Sequence, residues 1–407
     1  MTRLLLLSQW FEPEPTLKGL AFAKELAARG FEVEVLTGFP NYPGGAVYSG
    51  YRIKLIQREV IDGIRVTRVP LFPSHSRSKL GRVANYLSFA ASSTVYGLFF
   101  AKRPDLVYAY HPPLTVGLAA SMLKLFRRIP FVYDIQDLWP DTLKATGMVG
   151  SPLVLNVVSI VCDFVYSQAH SIVVLSPGFK AILMERGLPA EKISVIYNWC
   201  DEAALAQNAV APSAIECMAH GFTLLFAGNI GYAQGLSSVL KAAEILQMKK
   251  AAVQIVFLGE GIALADLKTK ARDANLDNVH FLPKVPMSHV GQYLAAASAL
   301  LIHLRNDPLF EITIPSKTQA YMAVGKPLLM AVKGDAADLV LRSDCGVLAF
   351  PEDPDSLADA IQAMASMPPT ELKRMGDNAA RFYKEHLSTR AGCDAFARTL
   401  RHASGAK

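Results

Sequence analysis

The stretch LLLLSQWFEPEPTLKGLAFAKELAARGFEVEVL, Leu4 to Leu36, decides the fold class. Leu4 to Leu7 read as a first buried strand, because the run is too short for the apolar region of a signal peptide and Glu12 and Glu14 follow soon after. Leu17 to Arg29 carries Leu20, Ala23, Leu26 and Ala27 at helical spacing, and Gly30 stops it. Val33 to Leu36 follows as a second strand. Strand, helix and strand in so short a span form a βαβ unit, whose right-handed crossover makes the sheet parallel.

The same rhythm continues along the chain. Leu106 to Tyr108, the helical stretch Leu114 to Phe126, and Phe131 to Tyr133 form a second unit, and Ser171 to Leu175 and Ile193 to Ile196 repeat the scheme. After a less patterned stretch near Ala203 to Ala219 it restarts with Phe222 to Phe226, Gln254 to Leu258, Val279 to Leu282, Ala299 to His303 and Pro327 to Ala331. A chain of 407 residues exceeds what one hydrophobic core usually supports. The expectation is an α/β protein of two doubly wound, parallel-sheet, Rossmann-like domains facing a cleft, with ligands at the carboxyl ends of the strands. The boundaries are placed at 1–205 and 206–385, leaving a C-terminal helix, 386–407, free to pack back on the first domain.

Hydrophobic residues make up 51% and charged residues 19% of the chain, which suits a globular protein. Five scattered cysteines, Cys162, Cys200, Cys217, Cys345 and Cys393, without a Cys-x-x-Cys pair, read as reduced thiols rather than a disulfide frame or zinc site. The net charge of +6 is unevenly spread: Arg52 to Arg128 holds 13 basic and 3 acidic residues, net +10. Such a field points to lipid headgroups, a pyrophosphate-bearing substrate or nucleic acid, and a solvated surface would look the same. Nucleic acid is set aside because the basic segment contains no recognisable reading module. Three apolar segments, Val83 to Ala101, Leu114 to Phe126 and Leu153 to Val165, fall short of a clean membrane span and read as buried helices. The first is nonetheless bracketed by Arg77, Lys79 and Arg82 and by Lys102 and Arg103, as an in-plane interfacial helix would be.

Chemistry concentrates in two helix starts of the second half. Gly228-Asn229-Ile230-Gly231-Tyr232-Ala233-Gln234-Gly235 follows an apolar strand and opens onto a helix near Leu236, so backbone amides and a helix N-terminus can meet a phosphate. A tight turn without a ligand would use the same glycines. In Glu311-Ile312-Thr313-Ile314-Pro315-Ser316-Lys317-Thr318, Ser316 can cap the next helix while Lys317 and free amides face an anion. In the first half, Asp137 and Asp141 flank Trp139 beyond a strand. A carboxylate there could orient a hydroxyl or take its proton, or simply cap a turn. Asp353-Pro354-Asp355 has a metal-binding look but reads as a helix cap.

From Leu4 to about Leu387 the chain resembles a retaining glycosyltransferase of family 4, in the bacterial branch that adds amino sugars during surface-polysaccharide assembly. The resemblance rests on Thr37-Gly38-Phe39-Pro40-Asn41-Tyr42-Pro43-Gly44-Gly45, Tyr133-Asp134-Ile135-Gln136-Asp137-Leu138-Trp139-Pro140-Asp141, the Gly228 to Gly235 loop, Phe281-Leu282-Pro283-Lys284-Val285, and Thr313 to Pro327. It implies GT-B architecture, with the acceptor on the first domain and a nucleotide diphosphate-sugar on the second. Base contacts then come from the backbone around Leu282, Lys284 and Val285. Phosphate contacts come from Gly228, Asn229, Gln234 and Gly235 and from Pro315, Ser316 and Lys317. Glu311 touches the transferred sugar and Glu260 lies near the same cleft. Glu311, Asp137 and Lys317 are the catalytic candidates.

The resemblance further implies a UDP-sugar donor, an N-acetylated hexosamine or its 6-deoxy form, and a polyprenyl-diphosphate-linked or saccharide acceptor in O-antigen or other lipopolysaccharide assembly. The protein would work in the cytoplasm, peripherally on the inner face of the cell membrane against an anionic lipid surface. No metal or other cofactor is expected, since helix starts and Lys317 already supply positive potential. The chain departs from the family at Asn229 and Gln234, where Arg and Lys are common, and at Gln136, where His is common. The second Glu of the family pair, which holds the ribose, falls on Gln319 by spacing or Ala320 by helix register. His111 is the nearest other histidine and reads as structural. Two rivals share the pattern: a UDP-sugar epimerase of the same fold, and a non-catalytic membrane-associated assembly partner. A nicotinamide oxidoreductase is excluded by Ser8-Gln9-Trp10-Phe11-Glu12-Pro13, which lacks the Gly-x-Gly-x-x-Gly turn.

Overall fold

The computed structural model describes residues 1–74, 79–145, 149–205, 218 and 221–405. Arg77, Cys217 and most of the unpatterned stretch near 203–219 lie outside the described residues, as does the side chain of Lys79. The chain forms two compact units: Met1–Leu175, Phe179–Ile196 and Cys393–Lys407 in one, Ser176–Gly178 and Tyr197–Gly392 in the other. The crossings at Ile196/Tyr197 and Gly392/Cys393 thus differ from the sequence-based boundaries at 205/206 and 385/386. The reason is packing. Cys200 sits in the core of the second unit beside Tyr383, whose hydroxyl donates to Glu202 at 2.8 Å. In the first unit Phe396 packs edge-on against Phe22 and Tyr108.

The first unit holds β1 (Thr2–Ser8), β2 (Phe31–Gly38), β3 (Gln57–Ile61), β4 (Ile64–Val69), β5 (Leu106–Tyr110), β6 (Phe131–Asp134), β7 (Ser171–Val174) and β8 (Ile193–Val195). Their order is β3-β4-β2-β1-β5-β6-β7-β8, parallel throughout except for the β3/β4 hairpin. Periodicity did not reveal that hairpin. Its turn, Asp62-Gly63 with φ of 47° and 83°, is the Asp-Gly signal of a two-residue connection between twisted strands. From β1 the sheet grows in opposite directions, through β2 and through β5, so right-handed crossovers cover both faces with helices.

The first helix runs from Leu20 to Ala28, three residues shorter at its start than expected. The preceding loop is held by charge. Lys18 Nζ meets Asp134 Oδ2 at 2.5 Å with both side chains fully buried, and the Glu12 carboxylate accepts the Leu20 N–H at 2.7 Å. Tyr108 and Gln136 also donate to Asp134. Burial pulls the Lys18 pKa down, while the Asp134 charge opposes it.

The three apolar segments form helices Lys79–Phe99, Thr115–Arg127 and Pro152–Gln168, packed side by side, with Gly97 against Leu123 and Gly117 against Val165. No helix among the described residues is long and apolar enough to cross a membrane. The helix Lys79–Phe99 is turned inside out. Leu80, Val83, Leu87, Val95 and Phe99 are half or more exposed, while Asn85 and Ser93 are buried with Phe89 and Tyr96. Asn85 accepts from Gln9 and donates to the Phe72 carbonyl at 2.7 Å, which accounts for its inward polar side chain. Phe89 belongs to the core.

The second unit holds β9 (Phe222–Ala227), β10 (Val253–Leu258), β11 (Val279–Leu282), β12 (Ala299–His303), β13 (Leu328–Ala331) and β14 (Gly346–Leu348), in the order β11-β10-β9-β12-β13-β14, all parallel. Leu224 and Phe226 point into one apolar layer and Leu225 and Ala227 into the other, as strand alternation requires. The strand order reverses between β9 and β12, where a crevice opens at their carboxyl ends. The described cysteines, Cys162, Cys200, Cys345 and Cys393, are buried free thiols.

Because Asp134 is fully buried, removing its cation should be far costlier than removing the pair. We expect Lys18→Met to destabilise the protein by about 3–5 kcal/mol, and Lys18→Met/Asp134→Leu to recover part of that loss. Urea denaturation of the two variants checks it; equal losses in both would mean that the ion pair does not anchor the loop.

Candidate functional site

At the switch point the second unit encloses a cavity of about 670 Å³. Gly228 follows β9 with φ of 130°, and a Cβ there would lie 2.8 Å from Lys317 Cε. The bare backbone therefore lets the Lys317 side chain lie across the strand end, with Nζ 3.9 Å from the centroid of Phe226. Lys317 has no ion-pair partner among the described residues, and burial lowers its pKa to about 8. A mostly buried ammonium held only by an aromatic face is poised for an anion from outside.

The glycine loop is braced rather than loose. The Gln234 side chain accepts the Gly231 N–H at 2.9 Å, and the Gln234 carbonyl meets His303 Nδ1 at 2.6 Å. His303 Nε2 accepts the Glu352 N–H at 3.2 Å, so Nδ1 carries the proton and donates to Gln234. Burial lowers the His303 pKa and keeps the ring neutral. The loop enters a short 3-10 turn, Tyr232–Gln234, before the helix Ser237–Met248. Sequence reasoning missed His303 as a site residue; its one signal was a histidine ending an otherwise apolar strand.

Of the residues expected at the donor site, Gly228, Asn229, Gln234, Glu260 and Lys284 line this cavity, as do Val285, Pro315, Ser316 and Lys317. Glu260 and Lys284 form an ion pair at 2.5 Å, both about two-thirds exposed. Gly235, Leu282 and Glu311 are not in the lining. Gly235 turns into the following helix, Leu282 ends β11, and Glu311 is an exposed residue closing the short helix Pro308–Glu311. Ser316 precedes the helix Lys317–Val324 but makes no side-chain cap, because its backbone is already helical, with φ of −58°. Of the two ribose candidates, Ala320 lines the cavity while Gln319 is buried away from it, its amide donating to the Ser316 and Pro315 carbonyls. Asp353 is a cap: its carboxylate accepts the Ser356 N–H at 3.0 Å.

In the first unit Asp137 lies beyond β6. Burial raises its carboxyl pKa with no charge to offset it. Asp141 is committed to Arg186, which also donates to the Trp139 carbonyl at 3.3 Å. His111 is buried edge-on to Tyr133 and Trp139, and burial lowers its pKa to about 3, so it stays neutral.

Two family matches fit this architecture. Residues 20–199 match the Glycosyl transferase 4-like domain, and residues 219–382 match Glycosyl transferases group 1. The chain is a family-4 glycosyltransferase. It is 28% identical over 74% of its length to a putative colanic acid biosynthesis glycosyl transferase, WcaI, of Escherichia coli, covering 75% of that protein. It is 23% identical to a probable glycosyltransferase, WbjE, of Pseudomonas aeruginosa, with the same coverage. Among solved structures, sucrose-phosphate synthase from Thermosynechococcus elongatus superposes with a TM-score of 0.74 at 16% identity, covering 100% of both chains. Anabaena HepE in complex with UDP and glucose gives 0.68 at 18% identity, covering 98% of this chain and 99% of that one. The glycosyltransferase thus has the GT-B fold.

The depressed Lys317 pKa carries a pH signature. Below about pH 8 Lys317 is an ammonium, and above it an anion bound beside it must first restore the proton. UDP affinity measured between pH 7.5 and 9.5 should fall by up to about tenfold per unit at the alkaline end. Lys317→Arg, which stays charged, should lose that slope. A slope unchanged in the variant would assign the titration elsewhere.

Proposed function

We propose that this glycosyltransferase moves a sugar from a UDP-sugar, with retention at the anomeric carbon, onto a lipid-linked or saccharide acceptor during surface-polysaccharide assembly. The observation that carries the reading is the mostly buried Lys317, with no ion-pair partner among the described residues, beside the Gly228 turn in a cavity at the switch point of the sheet. The polysaccharide context rests on the names of the WcaI and WbjE relatives, and the choice of UDP on the HepE complex. As the bond to the sugar breaks, negative charge grows on the departing diphosphate. Lys317, the Asn229 backbone and the amides opening the helix Lys317–Val324 meet that charge without reorganising. The acceptor hydroxyl attacks from the face the diphosphate leaves. On the acceptor side the first unit offers Asp137, a carboxyl whose pKa burial raises. Divalent metal is not required in this scheme.

The same reading places the enzyme on an anionic membrane. The exposed apolar side chains Leu80, Val83, Leu87, Val95 and Phe99, with Phe100, Leu125 and Phe126 also exposed, are near Arg82, Lys102, Arg103 and Arg127 in the sequence. Exposed apolar side chains with basic residues close in sequence suit the boundary between acyl chains and anionic headgroups.

Lys317→Ala should cut turnover at least tenfold at wild-type stability, since one charge-assisted phosphate contact is worth about 1.5–3 kcal/mol. Near-normal turnover would remove this donor site, and activity lost in EDTA but restored by magnesium would overturn the metal-free scheme. For the membrane, co-sedimentation with anionic liposomes is expected at low salt, with a remainder that resists high salt. Val83→Asp/Leu87→Asp should abolish that remainder while leaving UDP binding intact. A wild-type protein that ignores anionic liposomes at low salt would refute peripheral attachment.

A further inference from the structure

The cavity wall between the diphosphate end and the base end is short of polar groups. Lys317 and Ala320 sit on one face of their helix, about one turn apart, and both line the cavity. A nucleoside diphosphate with its phosphates at Lys317 and its base toward Lys284 and Val285 must lay its pentose along this wall. Among the described residues, Asn229 and Ser316 stand at the diphosphate end beside Gly228 and Lys317, and the other lining side chains that could meet pentose hydroxyls are engaged or exposed. Tyr321 Oη bonds the Ala227 N–H at 2.8 Å, and Thr313 Oγ1 donates to the Leu309 carbonyl at 2.7 Å. Gln319 faces Pro315 and Ser316. The carboxylate in the lining, Glu260, pairs with Lys284 through Oε1 and is about two-thirds exposed, so it is not a buried group that a missing hydroxyl would leave unpaired. Beyond it the base end is apolar, with Val285, Met287 and Val290.

Resting on the donor-site reading above, we infer that this cavity grips the diphosphate and the base but does not read the pentose, so that ribo- and 2′-deoxyribonucleoside diphosphates bind alike. Strong rejection of an analogue that lacks a hydroxyl requires buried polar groups which the hydroxyl satisfies and the analogue leaves unpaired. At Ala320 there is only a methyl group. Among the described residues the apolar base end also has no group that would reject a 5-methyl substituent, which extends the donor class from UDP-sugars to dTDP-sugars.

Calorimetric titration of the full chain with UDP, 2′-deoxyuridine diphosphate and dTDP tests this directly. The expected Kd values lie within about threefold of one another, whereas a site with a dedicated hydroxyl partner would separate them by orders of magnitude. Ala320→Glu, which places a carboxylate one turn from Lys317, should then favour UDP over its deoxy analogue by about tenfold or more. A wild-type preference for UDP above about tenfold would overturn the inference, and its disappearance in Glu260→Gln would name Glu260 as the reader. Binding of none of the three nucleotides would instead overturn the donor-site reading itself, and the inference with it.

Discussion

A lysine ammonium with no ion-pair partner among the described residues organises the cavity of the second unit. Lys317 reaches across the end of β9 because Gly228 has no side chain, and it rests on the ring of Phe226. Burying a cation without its counter-charge is tolerated only where something else stabilises it or where a ligand completes it. Here the aromatic face does part of the former, and the depressed pKa records what is left undone. The neighbouring turn is equally crowded: a Cβ at Gly259 would lie 2.1 Å from the Gly228 carbonyl. Two strand ends are thereby drawn together, and the cavity floor is backbone.

Rigidity around that floor comes from neutral hydrogen bonds rather than from more charge. His303, Gln234 and Glu352 fix the glycine loop through two ring nitrogens of one buried imidazole. A preformed loop adds no reorganisation cost when negative charge develops on a leaving group. Asn229 and Gln234 bring no charge to this loop, and Lys317 lies against its first residue, Gly228.

The first unit solves a different problem with buried charge. Lys18, Asp134, Tyr108 and Gln136 form a closed network under the loop that follows β1, and Glu14 accepts the Asn41 and Tyr42 N–H groups at 2.7 Å. Irregular backbone at the carboxyl edge of the sheet is thus satisfied from within. The outer helix Lys79–Phe99 inverts the usual arrangement for the same reason: Asn85 and Gln9 complete polar contacts inside, leaving leucines, valines and a phenylalanine outside.

Much of this was legible in the sequence. The apolar runs from Leu4 to Ala331 located the strands later named β1, β2 and β5 to β13, because burial on both faces of a parallel strand leaves an uninterrupted apolar signature. The glycine loop and Lys317 were legible for a similarly local reason, since turns and helix starts have short-range chemistry, whereas the Glu260 and Lys284 positions came from the family resemblance. The β3/β4 hairpin was not, being a half-exposed edge whose clue was Asp62-Gly63 alone. Nor could spacing settle whether Gln319 or Ala320 faces the ligand, that Glu311 stays outside the cavity wall, or that Ser316 does not cap. Those depend on how a helix is rotated against the sheet, and rotation is set by contacts from residues far apart in the chain. The sequence by itself determined strand order of appearance, parallel winding and the type of chemistry at each turn; only the tertiary structure decided which side chains share a cavity, because packing, not periodicity, fixes the direction in which each one points.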